Sequence, residues 1–288
     1  MAEETKIEWC DYTFNPWIGC QKVAAGCKNC YAETYWHRFG FKGMRRMTSP
    51  ANWKLPLKWN KYAVDPVASA CRPDFPRRPR VFCASLADVF EDWKGEIYDH
   101  KSRTLWRCGV GTGEHRTEKV IGCPEKPSDR DCRKAVLSDL QIDLFQDLID
   151  KTPNLDWLLL TKRPERIRWC WELSKKKRNN VWLGCSVSSQ DDVAAIEELV
   201  KCRDLAAVLF VSYEPALGPI DLYPYLDDID WVIVGGESGP KARPCDLECI
   251  QLVLYQCGAF GVPCFVKQLG SHIIDRDTTA AAWFAALK

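Results

Sequence analysis

A series of short apolar runs, rich in β-branched and aromatic residues, punctuates the chain. Each ends in small or polar residues and is followed by a longer amphipathic stretch. The runs are Arg80–Ala84, Trp157–Thr161, Val181–Ser186, Ala207–Tyr213, Trp231–Gly235 and Cys264–Lys267, with a less regular strand within Tyr12–Gly19. Residues apolar at consecutive positions suit strands covered on both faces. Between them, Leu140–Ile149, Asp191–Arg203 and Asp246–Phe260 carry apolar residues near helical spacing. This alternation predicts an α/β fold, a parallel (β/α) barrel or open sheet of about six to seven strands. The 288 residues suffice for one such domain. Residues 98–136 break the rhythm: they are polar, hold Cys108, His115, Cys123 and Cys132, and read as an insertion between a strand and its helix.

In parallel α/β architectures, functional groups gather at the C-terminal strand ends. Here those ends carry Ser85 and Asp88, then Lys162 and Arg163, Ser186 and Ser188, Glu214, the Gly235-Gly236-Glu237 tripeptide, and Lys267 with Gln268. A succession of polar ends predicts a polar pocket at the mouth of the sheet. No catalytic residue is singled out. Lys162 and Arg163 suit a carboxylate or phosphate, or a charge pair with Glu165 at a helix start.

Lys and Arg total 40 against 39 for Asp and Glu, so no global field selects or repels a polyanion. Contact with nucleic acid would rest on local runs such as Arg77–Arg80, Lys42–Arg46 and Lys175–Arg178, which also suit solvated faces. No apolar run approaches the length that spans a bilayer, and the first residues lack a signal-peptide layout. The expectation is a cytoplasmic chain without a membrane partner. In a reducing compartment its 16 cysteines are metal ligands, apolar fillers or reactive thiols rather than disulfides.

Cys20, Cys27 and Cys30 stand in a C-x6-C-x2-C loop, with Tyr31 directly after the last. Three thiolates leave one iron of a 4Fe–4S cluster open, whereas a closed structural zinc site takes four ligands. Buried cysteines or a zinc knuckle are the plainer alternatives. Cys83, Cys185 and Cys264 lie on expected core strands and read as small fillers. Cys108, Cys123 and Cys132 with His115 are candidates for an additional metal, although they lack paired spacing.

The cysteine loop resembles that of the radical S-adenosylmethionine (SAM) superfamily, whose usual signature is CxxxCxxC beside an aromatic residue. It departs from that signature by three extra residues between the first and second cysteines. The segments TKIEWCDYTFNPWIGC, AGCKNCYAE, RVFCASLADVFED, WLLLTKRPERI, VSYEPALGPIDL, WVIVGGESGPKARP and VKQLG resemble a phage- and bacterium-associated family of radical-SAM-like proteins. The resemblance covers nearly the whole chain outside the insertion. It implies a single partial (β/α) barrel over residues 1–288, with SAM and a 4Fe–4S cluster as cofactors and an external electron donor. In that family's chemistry, SAM cleavage yields a 5′-deoxyadenosyl radical that abstracts hydrogen from an inert carbon. The cofactor supplies the hard chemistry, and the protein binds and orients.

By barrel position, the resemblance assigns Ser85 to the SAM amino group and Ser186 and Ser188 to the ribose or carboxylate. Glu214 falls to ribose or substrate, and Lys162 to the carboxylate or a phosphate. Gly235, Gly236 and Glu237 match the superfamily's GGE in sequence but follow a later strand, so a turn beside SAM or substrate is an equal reading. Trp9, Trp17 and Trp36 flank the cysteine motif, and a pocket lined with Trp and Tyr would suit dry walls and stacking. The substrate expectation is DNA or a modified nucleotide: isomerisation or carbon–carbon rearrangement of an amino-acid-decorated thymine in phage DNA hypermodification. The rivals are a peptide, tRNA or small-metabolite substrate, and a non-enzymatic zinc- or cluster-stabilised nucleic-acid-binding protein.

Overall fold

The computed structural model describes residues 7–38, 43–65, 77–108, 132–172 and 177–275, together with 5, 40, 120 and 121. The fold is α/β. Its main sheet has seven strands: β1 (Tyr12–Thr13), β2 (Arg80–Cys83), β3 (Asp156–Thr161), β4 (Arg178–Val187), β5 (Ala206–Tyr213), β6 (Trp231–Gly235) and β7 (Cys264–Gln268). Their spatial order follows their order in the chain. The registered pairings β1–β2, β2–β3, β5–β6 and β6–β7 are all parallel. A curled parallel sheet of this kind agrees with a partial (β/α) barrel.

The apolar runs became strands because both faces are covered. Trp157, Leu158, Leu159, Val181, Leu183, Leu209, Phe210, Val232, Ile233 and Val234 are all fully buried. Burying each such side chain is worth about 1.5–3 kcal/mol. β4 starts earlier than its apolar run, at Arg178. That guanidinium is buried, pairs with Asp150 (Nε–Oδ1 2.8 Å) and lies 5.0 Å from the Trp171 ring centroid. Asn180 donates to the Thr152 carbonyl at 3.2 Å. Partners of this kind let polar residues enter a buried strand.

The helices depart more from expectation. Leu137–Ile142 is α-helical, begun by the Asp139 carboxylate accepting from the Val136 amide at 2.9 Å, and Asp143–Ile149 continues as a π-helix. The expected helix over Asp191–Arg203 is α-helical only at Ala195–Val200, after a 3-10 turn at Gln190–Asp192. There the Asp192 carboxylate turns back to accept from the Ser188 amide at 2.9 Å. Leu247–Phe260 forms as expected. Asp246 caps its first turn, and Gly261, at φ 68°, ends it.

The chain divides into two compact units. The first comprises Met1–Gln21, Tyr31–Leu159 and Arg168–Asn180. The second comprises Lys22–Cys30, Leu160–Ile167 and Val181–Lys288. In the insertion, Trp106–Cys108 pairs antiparallel with Val120–Ile121 and with Cys132–Lys134. The side chains of Cys108, His115, Cys123 and Cys132, the expected ligands of an additional metal, lie outside the described residues, as do Lys42, Lys175 and Lys176. Among the described residues, no helix is long and apolar enough to cross a membrane.

Candidate functional site

In the second unit, several expected strand-end residues meet. Lys162, just past β3, donates from Nζ to Ser186 Oγ at 2.5 Å, and Ser186 Oγ donates to the Glu214 carbonyl at 3.2 Å. The Glu214 carboxylate accepts from Lys267 Nζ at 2.6 Å and from Gln268 Nε2 at 3.5 Å. The ends of β3, β5 and β7 thereby present two ammonium groups and one carboxylate. Ser188 is fully buried, and its hydroxyl has no hydrogen-bond partner among the described residues. A buried orphan hydroxyl calls for an explanation such as a water or a ligand.

The cysteine loop joins this constellation. Although it sits early in the sequence, Lys22–Cys30 belongs to the second unit. Its core is a 3-10 turn at Ala25–Cys27, continued by the Cys30 amide donating to the Cys27 carbonyl at 3.4 Å. Gly26 packs so closely that a Cβ there would stand 2.1 Å from Ser188 Oγ and 3.4 Å from Lys162 Cε. The glycine before Cys27 thus lets the loop lie on two of the expected ligand residues.

Glu237, the acid of the GGE tripeptide, meets protein donors. Its Oε2 accepts from Asn29 Nδ2 (3.0 Å), the Arg243 amide (2.8 Å) and Arg243 Nε (3.0 Å), and its Oε1 accepts from Arg243 Nη2 (2.6 Å). Burial acts to raise its pKa, but the hydrogen bonds from Arg243 and Asn29 outweigh it and hold the carboxyl down at about 2. The two glycines before it serve close packing: a Cβ at Gly236 would lie 2.3 Å from the Leu269 carbonyl oxygen, and one at Gly235 3.2 Å from that of Gln268. The tripeptide is a packed turn whose carboxylate is committed to protein donors.

In the first unit, Cys20 sits between two fixed points. Gly19 has φ 115°, and a Cβ there would lie 2.2 Å from the Met44 carbonyl oxygen. The Gln21 amide donates to Glu91 Oε1 at 2.7 Å. Glu91 is fully buried in a bidentate pair with Arg45 (2.5 and 2.6 Å), whose guanidinium lies 4.1 Å from the Trp93 ring centroid. The Ser85 hydroxyl accepts from Asn15 Nδ2 at 3.0 Å, and the Ser85 carbonyl accepts from Tyr31 OH at 2.6 Å. Asn15 and Glu91 escaped the sequence reading, and Arg45, read there only as part of the basic run Lys42–Arg46, is buried and not on a solvated face. Only the pairing of a buried-range arginine with a distant acid could have flagged them, and one chain does not reveal such pairings.

Packing also fixes the surroundings of the other residues singled out in the sequence. Trp9 and Trp17 are buried in the core, Trp9 against Phe82 with ring centroids 4.6 Å apart. Arg77 forms a bidentate pair with Asp11 (2.9 and 3.0 Å), and Arg78 pairs with Asp156 at 2.9 Å, so much of that basic run is neutralised internally. Cys83 and Cys185 are fully buried fillers, and burial pushes the Cys83 thiol well up. Asp88 is buried, and its carboxylate accepts from the Phe90 amide at 3.0 Å. A hollow of about 510 Å³ borders Gly239, Pro240, Ala242, Ser271 and His272, and contains none of the expected site residues.

The family described as protein of unknown function DUF5131 matches residues 4–117 and 126–283. The chain belongs to that family. No curated protein and no solved structure matches. The DUF5131 match includes Cys20, Cys27, Cys30 and every strand-end residue named above, and its gap falls inside the insertion.

Whether this DUF5131 chain suits an iron–sulfur cluster is a question of donors and placement. The donors suit it: Cys20, Cys27 and Cys30 are in no disulfide and are half-buried, so a cofactor can reach them. The placement does not: among the described residues, no group of three or more His, Cys, Asp or Glu side chains is positioned to hold a metal ion.

Proposed function

We propose that this DUF5131 protein is a radical SAM enzyme, with Cys20, Cys27 and Cys30 as the ligands of a 4Fe–4S cluster. The observation that carries the reading is the seating of the cysteine loop. Gly26 rests on Ser188 and beside Lys162, so the one loop with cluster-type spacing adjoins the charged strand ends. Because no three ligating side chains among the described residues already form a metal site, the reading makes a demand: cluster assembly must complete the site, as metals commonly organise their own ligand loops.

The polar strand ends suit a zwitterionic ligand. Lys162 and Lys267 offer ammonium groups to a carboxylate, Glu214 offers an acceptor to an amine or hydroxyl, and the Ser188 hydroxyl completes its bonding with such a ligand. When bound, SAM and a reduced cluster supply the radical chemistry; the residues of this chain bind, orient and exclude water. The substrate we propose is a modified pyrimidine of phage DNA, an amino-acid-decorated thymine, undergoing isomerisation or carbon–carbon rearrangement.

A second substrate reading, a small metabolite, peptide or tRNA, gains support from the internal pairing of Arg77 and Arg78. That pairing reduces the basic surface a DNA backbone would meet. Anaerobic reconstitution with iron, sulfide and reductant tests the enzyme reading. A brown protein with about four irons per chain and absorbance near about 400 nm is expected. Stoichiometric zinc without iron would overturn the cluster. Mass spectrometry of modified phage nucleosides after incubation with SAM then separates the two substrate classes.

A further inference from the structure

The contacts of Glu237 and Arg243 converge on the cysteine loop. Arg243 donates from Nη1 to the Ala25 carbonyl at 2.9 Å and from Nη2 to the Gly26 carbonyl at 3.5 Å. Those two carbonyls begin the 3-10 turn that ends at Cys27. On the other side of the turn, Asn29 Nδ2 donates both to Glu237 Oε2 at 3.0 Å and to the Lys241 carbonyl at 2.8 Å. One guanidinium and one carboxylate therefore hold the loop before and after Cys27. They also hold each other through a bidentate pair in which Glu237 is 8% and Arg243 21% exposed.

A bidentate Arg–carboxylate pair fixes direction as well as distance. Largely screened from water, it keeps more of its strength than an exposed ion pair. The loop it grips has little packing of its own: Gly26 alone between Lys22 and Cys30 is buried. A nine-residue segment with a single buried residue would ordinarily sample many conformations. Cys20, by contrast, belongs to the first unit, where it is anchored through Gly19 and the Gln21–Glu91 bond.

We propose that Glu237 and Arg243 are positioning residues, a two-residue lock that holds the turn bearing Cys27 and Cys30 in place before any cofactor binds. The acidic member of the GGE tripeptide thus acts on the loop and is not itself a ligand of a cofactor. The lock's use in cluster assembly rests on the reading of the loop proposed above; the lock itself does not.

The test is alkylation of the metal-free full-length chain under native conditions, with labelling of each cysteine followed by peptide mass spectrometry. In Arg243→Ala and Glu237→Gln, labelling of Cys27 and Cys30 is expected to quicken by about tenfold as the loop opens. Cys20 should keep its wild-type rate, and Arg243→Lys, which retains the charge without the fork, should fall between. Amide exchange over residues 24–30 should rise in the same order. Unchanged rates at Cys27 and Cys30 in Glu237→Gln would overturn the lock. So would an equal rise at Cys20, which would mark general loosening. Should Arg243→Ala not fold, Glu237→Gln carries the test alone, since it preserves the shape of the side chain. Failure of the wild-type chain to take up iron would overturn the cluster reading and leave the labelling result standing.

Discussion

Two glycines precede two of the motif cysteines, and each is demanded by its surroundings. Gly19 combines φ 115° with a carbonyl oxygen 2.2 Å from where a Cβ would stand, and backbone cannot move aside as a side-chain tip can. Gly19→Ala is therefore expected to lower stability by about 1–3 kcal/mol, read as a shift in the urea midpoint at constant slope. Gly26 faces the Ser188 hydroxyl, so Gly26→Ala should lift the loop at modest cost to the fold and speed labelling of Cys27. Glu237 gives the residue scale its pH dependence. Its folded value of about 2 lies below the ordinary 4.5, so its contribution is full above that ordinary value and is lost as pH falls toward 2. Wild type should lose on the order of 3 kcal/mol more than Glu237→Gln between neutral pH and about pH 2 in urea titrations. Equal acid sensitivity of the two chains would contradict that assignment.

At the scale of elements, strands were far more legible than what joins them. Apolar runs such as Trp157–Thr161 and Trp231–Gly235 announce themselves because a buried parallel strand needs apolar residues on both faces. The start of β4 was hidden because Arg178 and Asn180 enter it with partners, Asp150 and the Thr152 carbonyl, that are remote in sequence. The shortening of the helix at Ala195–Val200 was hidden for a related reason. Asp192 reads as a helix residue until its carboxylate is seen to bond the Ser188 amide. The Arg45–Glu91 pair is the strongest element-scale device that the sequence concealed, tying the strand at Arg45–Met47 to the segment after β2 and to the amide beside Cys20. Removing one partner leaves a buried charge, so Glu91→Ala should cost about 3–5 kcal/mol. Replacing both partners with apolar residues should cost less, and thermal melts of the two variants distinguish these outcomes.

For the whole molecule, sequence order already implied the α/β layout, since parallel strands require crossover segments between them. The candidate site was legible only as a list. Strand ends named Lys162, Ser186, Ser188 and Glu214, but their meeting with Gly26 of a loop more than a hundred residues earlier depends on the chain path. The GGE tripeptide shows the opposite case, a motif whose carboxylate the tertiary structure commits to Arg243 and Asn29. The proposed function holds that the loop through Cys20, Cys27 and Cys30 assembles a cluster that cleaves SAM. It is tested most directly by quantifying 5′-deoxyadenosine formed from SAM by the anaerobically reconstituted, reduced protein, beside Cys27→Ala. The account predicts 5′-deoxyadenosine from wild type and none from a folded, iron-free Cys27→Ala chain. Wild-type protein that carries a full complement of iron and sulfide yet forms none, or a Cys27→Ala chain without iron that still forms it, would contradict the account.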